Sequence, residues 1–304
     1  MRISDGMITA NMVYRLNRAS ERLFRVQEQA ASGLRFTQPS QDPASAVRAA
    51  SLRSSLSEIE RYLQNADLAS SALRLTEVAI TSLSDALREA RTLAVAGMND
   101  GLDETARQAI AEQVAQIAQE IFRVGNYHDG SRYLLAGYKV RTPPLAYNAT
   151  PPPPVSYQGD RGEIAIQLGR GVTIVTNLDA AVLLNLDGAA DPALEDVFTT
   201  LENLETALRT SDHANIEAAL GSLEVHSSRV LGLRGEIGAR VQRVDFDRRR
   251  LEEARDAARI LLGETEGADL AEVVVELQQN QVAYQAAAAA CALLTRASLM
   301  DYLR

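Results

Sequence analysis

Three histidines, His128, His213 and His226, and one cysteine, Cys291, are the side chains of this 304-residue chain best suited to ligating a metal or carrying a proton. A structural zinc site needs four converging ligands and a catalytic one needs three. The histidines lie in separate segments with no paired ligand spacing. A lone cysteine can form neither an internal disulfide nor a cysteine-based zinc site, and within its alanine run Cys291 reads as a small apolar packing residue. Asp245 and Asp247 form a short DFD run. Beside RRRLEEAR they read as a solvated helix face with i,i+4 ion pairs rather than as a cation site. The SQDP loop places one carboxylate, Asp42, before Pro43, and helix capping accounts for both. HExxH, the phosphate-cradling P-loop, GxSxG and a Gly-rich turn after a strand are all missing from the sequence. These residues point to a protein that is not an enzyme and uses no cofactor or metal.

The elements that must position these side chains are mostly helical. Hydrophobic residues make up 46% of the chain, with no Trp and 5% aromatic residues, so any core is built from Leu, Ala, Val and Ile. Ala and Leu are the strongest helix formers. The net charge is −9, and Lys139 is the sole lysine among 31 basic residues. An acidic chain without a concentrated basic patch argues against nucleic acid and anionic membrane as partners. The opening MRISDGMITANMVYRL lacks the apolar stretch and cleavage site of a Sec-type signal peptide, and no later segment has the unbroken apolar length of a membrane span.

Both ends of the chain read as long amphipathic helices with a seven-residue apolar repeat. Met12, Leu16, Ala19, Leu23, Val26 and Ala30 alternate steps of four and three, as do Leu270, Val273, Leu277, Asn280, Tyr284, Ala287, Cys291 and Leu294. This is the a/d seam of a coiled coil. The last helix carries a second seam, Val275, Gln279, Val282, Ala286, Ala289, Leu293, Met300 and Leu303. A helix apolar on two sides packs against more than one neighbour. A helix that joins copies of the chain and a core helix of a monomeric bundle remain two open readings of the pattern.

Between the ends, helix is expected over 5–31, with Gly33 as its left-handed stop. It resumes over 44–96 after the Asp42–Pro43 start, a rod of roughly 80 Å. A third helix, with Ala106, Ile110, Val114, Ile117, Ile121 and Val124 on one face, should pack back antiparallel. Residues 137–188 hold most of the prolines, including Pro151 to Pro154, which should act as stiff segments. There Ile164, Ile166 and Leu168, then Val172 and Ile174, alternate around GRG as a β-hairpin. Helix returns after Pro192, with Leu194, Val197, Leu201, Leu204 and Leu208 on one face, and again near Asp212. Gly221, Gly232, Gly235 and Gly238 in that last helix read either as close-approach or flexing points or as plain tolerance.

Several stretches in this order are similar to the bacterial flagellin superfamily, and most of all to its hook–filament junction branch. They are MRIS; LFRVQEQAASGLRFTQPSQDPASAV, with Gln41 where an aspartate is usual; and NYHDGSRYLLAGY, with Leu135 where Phe is usual. YQGDRGEI follows, then RGEIGARVQRV, with Val244 where Leu is common, and the ending ELQQNQVAYQAAAAACALLTRASLMDYLR. The likeness covers roughly 1–140 and 190–304. It implies a structural subunit of the flagellum, a junction between hook-associated protein 1 and the flagellin filament. It also implies unfolded export to the cell exterior without a cleaved signal peptide, an export chaperone on the C-terminal helix, and self-assembly through the end helices. A short flagellin is the nearest alternative; a soluble coiled-coil interaction module of fixed stoichiometry is the alternative of another class.

The expected fold is mainly α: a long antiparallel helical bundle with coiled-coil rods from both chain ends and a small β-rich insert in the middle. The expected division is 1–40 with 265–304 as assembly domain, 41–136 with 190–264 as long-helix bundle, and 137–189 as the insert. Met12, Leu16, Leu23, Val26, Leu277, Tyr284, Leu293, Leu294, Met300 and Leu303 are the candidate assembly residues.

Overall fold

The computed structural model describes residues 5–148 and 154–302, without the side chains of residues 5, 6, 8, 9 and 293–302. Three long helices come first, α1 (Asp5–Ser32), α2 (Pro43–Gly97) and α3 (Glu104–Gly125). Four short strands follow, β1 (Leu145–Tyr147), β2 (Val155–Tyr157), β3 (Ala165–Gly169) and β4 (Val172–Val175). The chain then returns to helix in α4 (Ala180–Leu184), α5 (Val197–Thr210), α6 (His213–Glu266) and α7 (Leu270–Tyr302). The fold is mainly α with a small β insert. Three residues of the Pro151 to Pro154 run lie outside the described residues.

Aspartate starts most of these helices. Asp42, Asp103, Asp179, Asp196, Asp212 and Asp269 each accept a hydrogen bond from a main-chain N–H in the first turn of the helix that follows, at 2.7–3.1 Å. A carboxylate there satisfies an orphan donor and faces the positive end of the helix dipole. α1 stops where Gly33 adopts φ 69° and its N–H donates to Gln29 O at 2.9 Å.

The described residues group into two units, one drawn from Met1–Ile59 with Glu253–Arg304, the other from Glu60–Glu252. In the second, Leu73, Ile80 and Leu87 of α2 share a core with Val114 and Ile121 of α3, Leu201 and Leu204 of α5, and Leu223 and Val230 of α6. The helix that α3 lies closest along is α5. α5 begins at Val197 and not at Leu194, because Asp196 caps it.

In the β insert, β3 and β4 form the expected hairpin, with Ile166 opposite Ile174 and Gly171 at φ 72° in the turn. β1 and β2 add a second antiparallel pair, with Leu145 opposite Tyr157. The AGY and YQGD stretches hold each other. Asp160 Oδ1 accepts from the N–H of Tyr138 at 2.7 Å and of Gly162 at 2.9 Å, and Tyr157 donates its hydroxyl to Asp160 O at 2.7 Å. Gly137, at φ 67°, lies so near this loop that a Cβ would collide with Asp160 O.

α6 runs unbroken through its glycines. A Cβ at Gly221, Gly232, Gly235 or Gly238 would meet nothing within 4 Å, so among the described residues they are tolerated positions and not points of close approach.

Candidate assembly interface

The loop after α1 and the turn before α7 are stitched together within the first unit. Leu34 and Gly267 form an antiparallel bridge. Arg35 N donates to Glu266 O at 2.7 Å, and Ala268 N donates to Gly33 O at 3.0 Å. Arg53 reaches the buried Glu266 carboxylate at 2.8 Å, and Phe36 is buried beside this bridge in the chain. Charge-assisted contacts of this kind contribute more than neutral ones where one partner is out of water. The end of α1 and the start of α7 therefore sit side by side, and α7 runs back along α1.

That antiparallel pairing selects one face of each helix. On α1, Ala19 and Val26 are buried, while Met12, Leu16 and Leu23 are half-buried on the same face. On α7, Val273 is buried, and Leu277 and Tyr284 are half-buried. The second seam of α7 is left open: Val275 is 55% and Val282 66% exposed, seven residues apart on one stripe. The outer face of α1 is open as well, with Met7, Tyr14 and Phe24 exposed and the Arg18 guanidinium 5.3 Å from the Tyr14 ring centroid. Exposed apolar rows of this length on paired helices suit a surface that other chains cover. Leu293, Leu294 and Met300 lie on α7, but their side chains are outside the described set, and Leu303 is outside the described residues altogether.

The residues that resemble chemistry are scattered. His213 Nδ1 is 3.3 Å from Asp100, and His128 packs edge-on against Tyr133. His226 is fully buried, with Nε2 3.4 Å from Thr200 Oγ1. Burial, aided by the Arg229 charge, pulls the pKa of His226 down to about 4. Among the described residues no three His, Cys, Asp or Glu side chains converge as metal ligands, and no helix is long and apolar enough to cross a membrane. The DFD run departs from the solvated face expected of it. Asp247 is buried and pairs with Arg250 at 3.2 Å, three residues on, while Asp245 reaches Arg74 of α2 at 3.7 Å.

Residues 3–140 match the family model of the bacterial flagellin N-terminal helical region. Flagellar hook-associated protein 3 of Salmonella typhimurium is 24% identical over 259 residues, covering 79% of this chain and 80% of that protein. A flagellar hook-associated protein from Vibrio parahaemolyticus has the same fold, with a TM-score of 0.68 at 21% identity over 75% of this chain and 100% of its own. The flagellar junction protein of Legionella pneumophila superposes with a TM-score of 0.59 at 14% identity, over 74% of this chain and 100% of its own. The chain is thus similar to flagellar hook-associated protein 3 over most of both chains, and its residues 3–140 match the bacterial flagellin N-terminal helical region.

Proposed function

We propose that this protein is a structural subunit of the bacterial flagellum that joins its neighbours through the outward faces of α1 and α7. It would stand at the junction between hook-associated protein 1 and the flagellin filament, outside the cell. The observation that carries this reading is the open Val275–Val282 stripe on a helix whose opposite face is already buried against α1. Covering such a stripe with a neighbouring subunit removes apolar surface from water without altering the fold of either chain. A contact between two different faces propagates into a helical array when its rotation does not close a ring. Residues 1–40 with 265–304 would form the inner layer of that array, 41–136 with 190–264 the next, and 137–189 would face solvent. Leu293, Leu294, Met300 and Leu303 would extend the same stripe, and an export chaperone that shields it would keep the subunit from associating early. The likeness to hook-associated protein 3 over most of both chains supports the junction role.

The test is a strain without this protein. Cells should lose attached filaments and shed flagellin into the medium, and the full chain should restore attachment while a chain lacking 275–304 should not. Attached filaments in the strain without the protein, or full rescue by the shortened chain, would refute the reading.

A further inference from the structure

A second pair of surfaces lies within the Glu60–Glu252 unit. The face of α6 turned away from its core presents Phe246, 60% exposed, one turn from Arg243 on one side and Arg249 on the other. Both arginines are exposed and have no ion pair among the described residues, whereas Arg250 beside them is held by Asp247. Gly232 and Gly235, on the same face toward the start of the helix, have open space above them, so no described residue covers the face there.

The opposite charge lies between α2 and α3. A groove of about 810 Å³ there is lined by Asp85, Glu89 and Glu120, with Gln113, Gln116 and Arg123 at its walls and the buried Ala86 and Ile117 at its floor. Among the described residues Asp85 and Glu120 pair only with exposed arginines of their own helices, Arg88 at 2.6 Å and Arg123 at 3.7 Å, and Glu89 has no ion pair. An acidic rim over an apolar floor is the complement of an aromatic ring flanked by two arginines. The arginines would meet carboxylates, for which their planar fork is suited, while the ring covers Ala86 and Ile117.

We infer that a second copy of this chain seats Arg243, Phe246 and Arg249 of its α6 in the α2–α3 groove. The inference rests on the assembly reading above and adds a contact that the end helices do not make. The patch is far smaller than the ~800 Å² per partner of a stable interface, so it sets the orientation of copies already joined elsewhere and does not hold two copies alone. Because patch and groove are different surfaces, the contact is heterologous and repeats from copy to copy.

The experiment reverses the charges. As the sole copy in cells, R243E/R249E and separately E89R/E120R should each reduce the protein retained on isolated flagella about tenfold, as two ion pairs across a partly desolvated contact predict. Carrying all four substitutions in one chain should recover retention to within about twofold of wild type, because the reversed pairs attract again. Wild-type thermal unfolding of all three purified variants establishes that they fold. Equal retention of both double variants and wild type would overturn the inference, as would failure of the quadruple variant to recover. If the wild-type protein is itself absent from flagella, the assembly reading fails first, and the two failures are therefore distinct.

Discussion

The sharpest consequence of the open stripe on α7 concerns Val282. In the isolated chain this residue keeps 66% of its surface. Full burial of a valine stabilises by roughly 1.5–3 kcal/mol, so covering the remaining two thirds would contribute about 1–2 kcal/mol to the proposed subunit addition. Val282→Ala removes most of that contact and should weaken retention on flagella about fivefold, at ~1.4 kcal/mol per factor of ten. Val282→Asp goes further, because it places an unpaired carboxylate in a surface that dries on contact. Several kcal/mol of desolvation then oppose addition, and retention should fall more than about a hundredfold. Neither change should alter the isolated protein by more than ~0.5 kcal/mol, since the position is exposed. Val26→Asp is the control. Val26 is only 3% exposed against α7, so a charge there should separate the α1–α7 pair and lower thermal stability by about 3 kcal/mol or more. The assays are retention on isolated flagella and thermal unfolding by circular dichroism. Normal retention of Val282→Asp, or a loss of stability equal to that of Val26→Asp, would refute the division into a buried and an open seam.

The other predictions concern the second unit. His226 titrates at about 4 in the fold against an ordinary 6.5, so the unfolded chain takes up its proton first as pH falls. Stability is whole above pH 6.5 and declines between 6.5 and 4, by about 3 kcal/mol in all; denaturant midpoints at pH 7 and 4.5 should show this slope, and His226→Leu should flatten it. Gly137→Ala should destabilise by about 2 kcal/mol or more in thermal unfolding, because it combines φ 67° with a collision against Asp160 O. Gly221→Ala, on the open face of α6, should instead stabilise by up to ~1 kcal/mol; a loss there would mean that α6 needs its glycine.

What was legible in the sequence is what depends on neighbours along the chain. Gly33 and the Asp42–Pro43 pair mark helix ends through their own backbone preferences, and the alternation around GRG marks β3 and β4. The β1–β2 pairing was hidden because each strand has three residues, too few to show alternation, and Leu145 meets Tyr157 across the proline run. α4, five residues long, is shorter than two turns and has no period to detect. Asp247 reads as solvated from its charged neighbours, yet it faces inward because Val244 and Leu251 on the same side of α6 are buried.

The most consequential gap concerns the two seams of α7. A seven-residue repeat shows that a helix has an apolar face, but a helix with two such faces leaves open which of them its own chain covers. That choice is made at a distance, by the bridge between Leu34 and Gly267 and the bond from Arg35 N to Glu266 O, which set where α7 begins beside α1 and so which side it turns inward. Once Val273 and Leu277 face α1, Val275 and Val282 must face away, since residues two and five positions off a helix stripe lie on its other side. The open stripe is thus a consequence of main-chain hydrogen bonds at the far end of the helix pair. Loosening those bonds would disturb the presented surface without touching a residue in it.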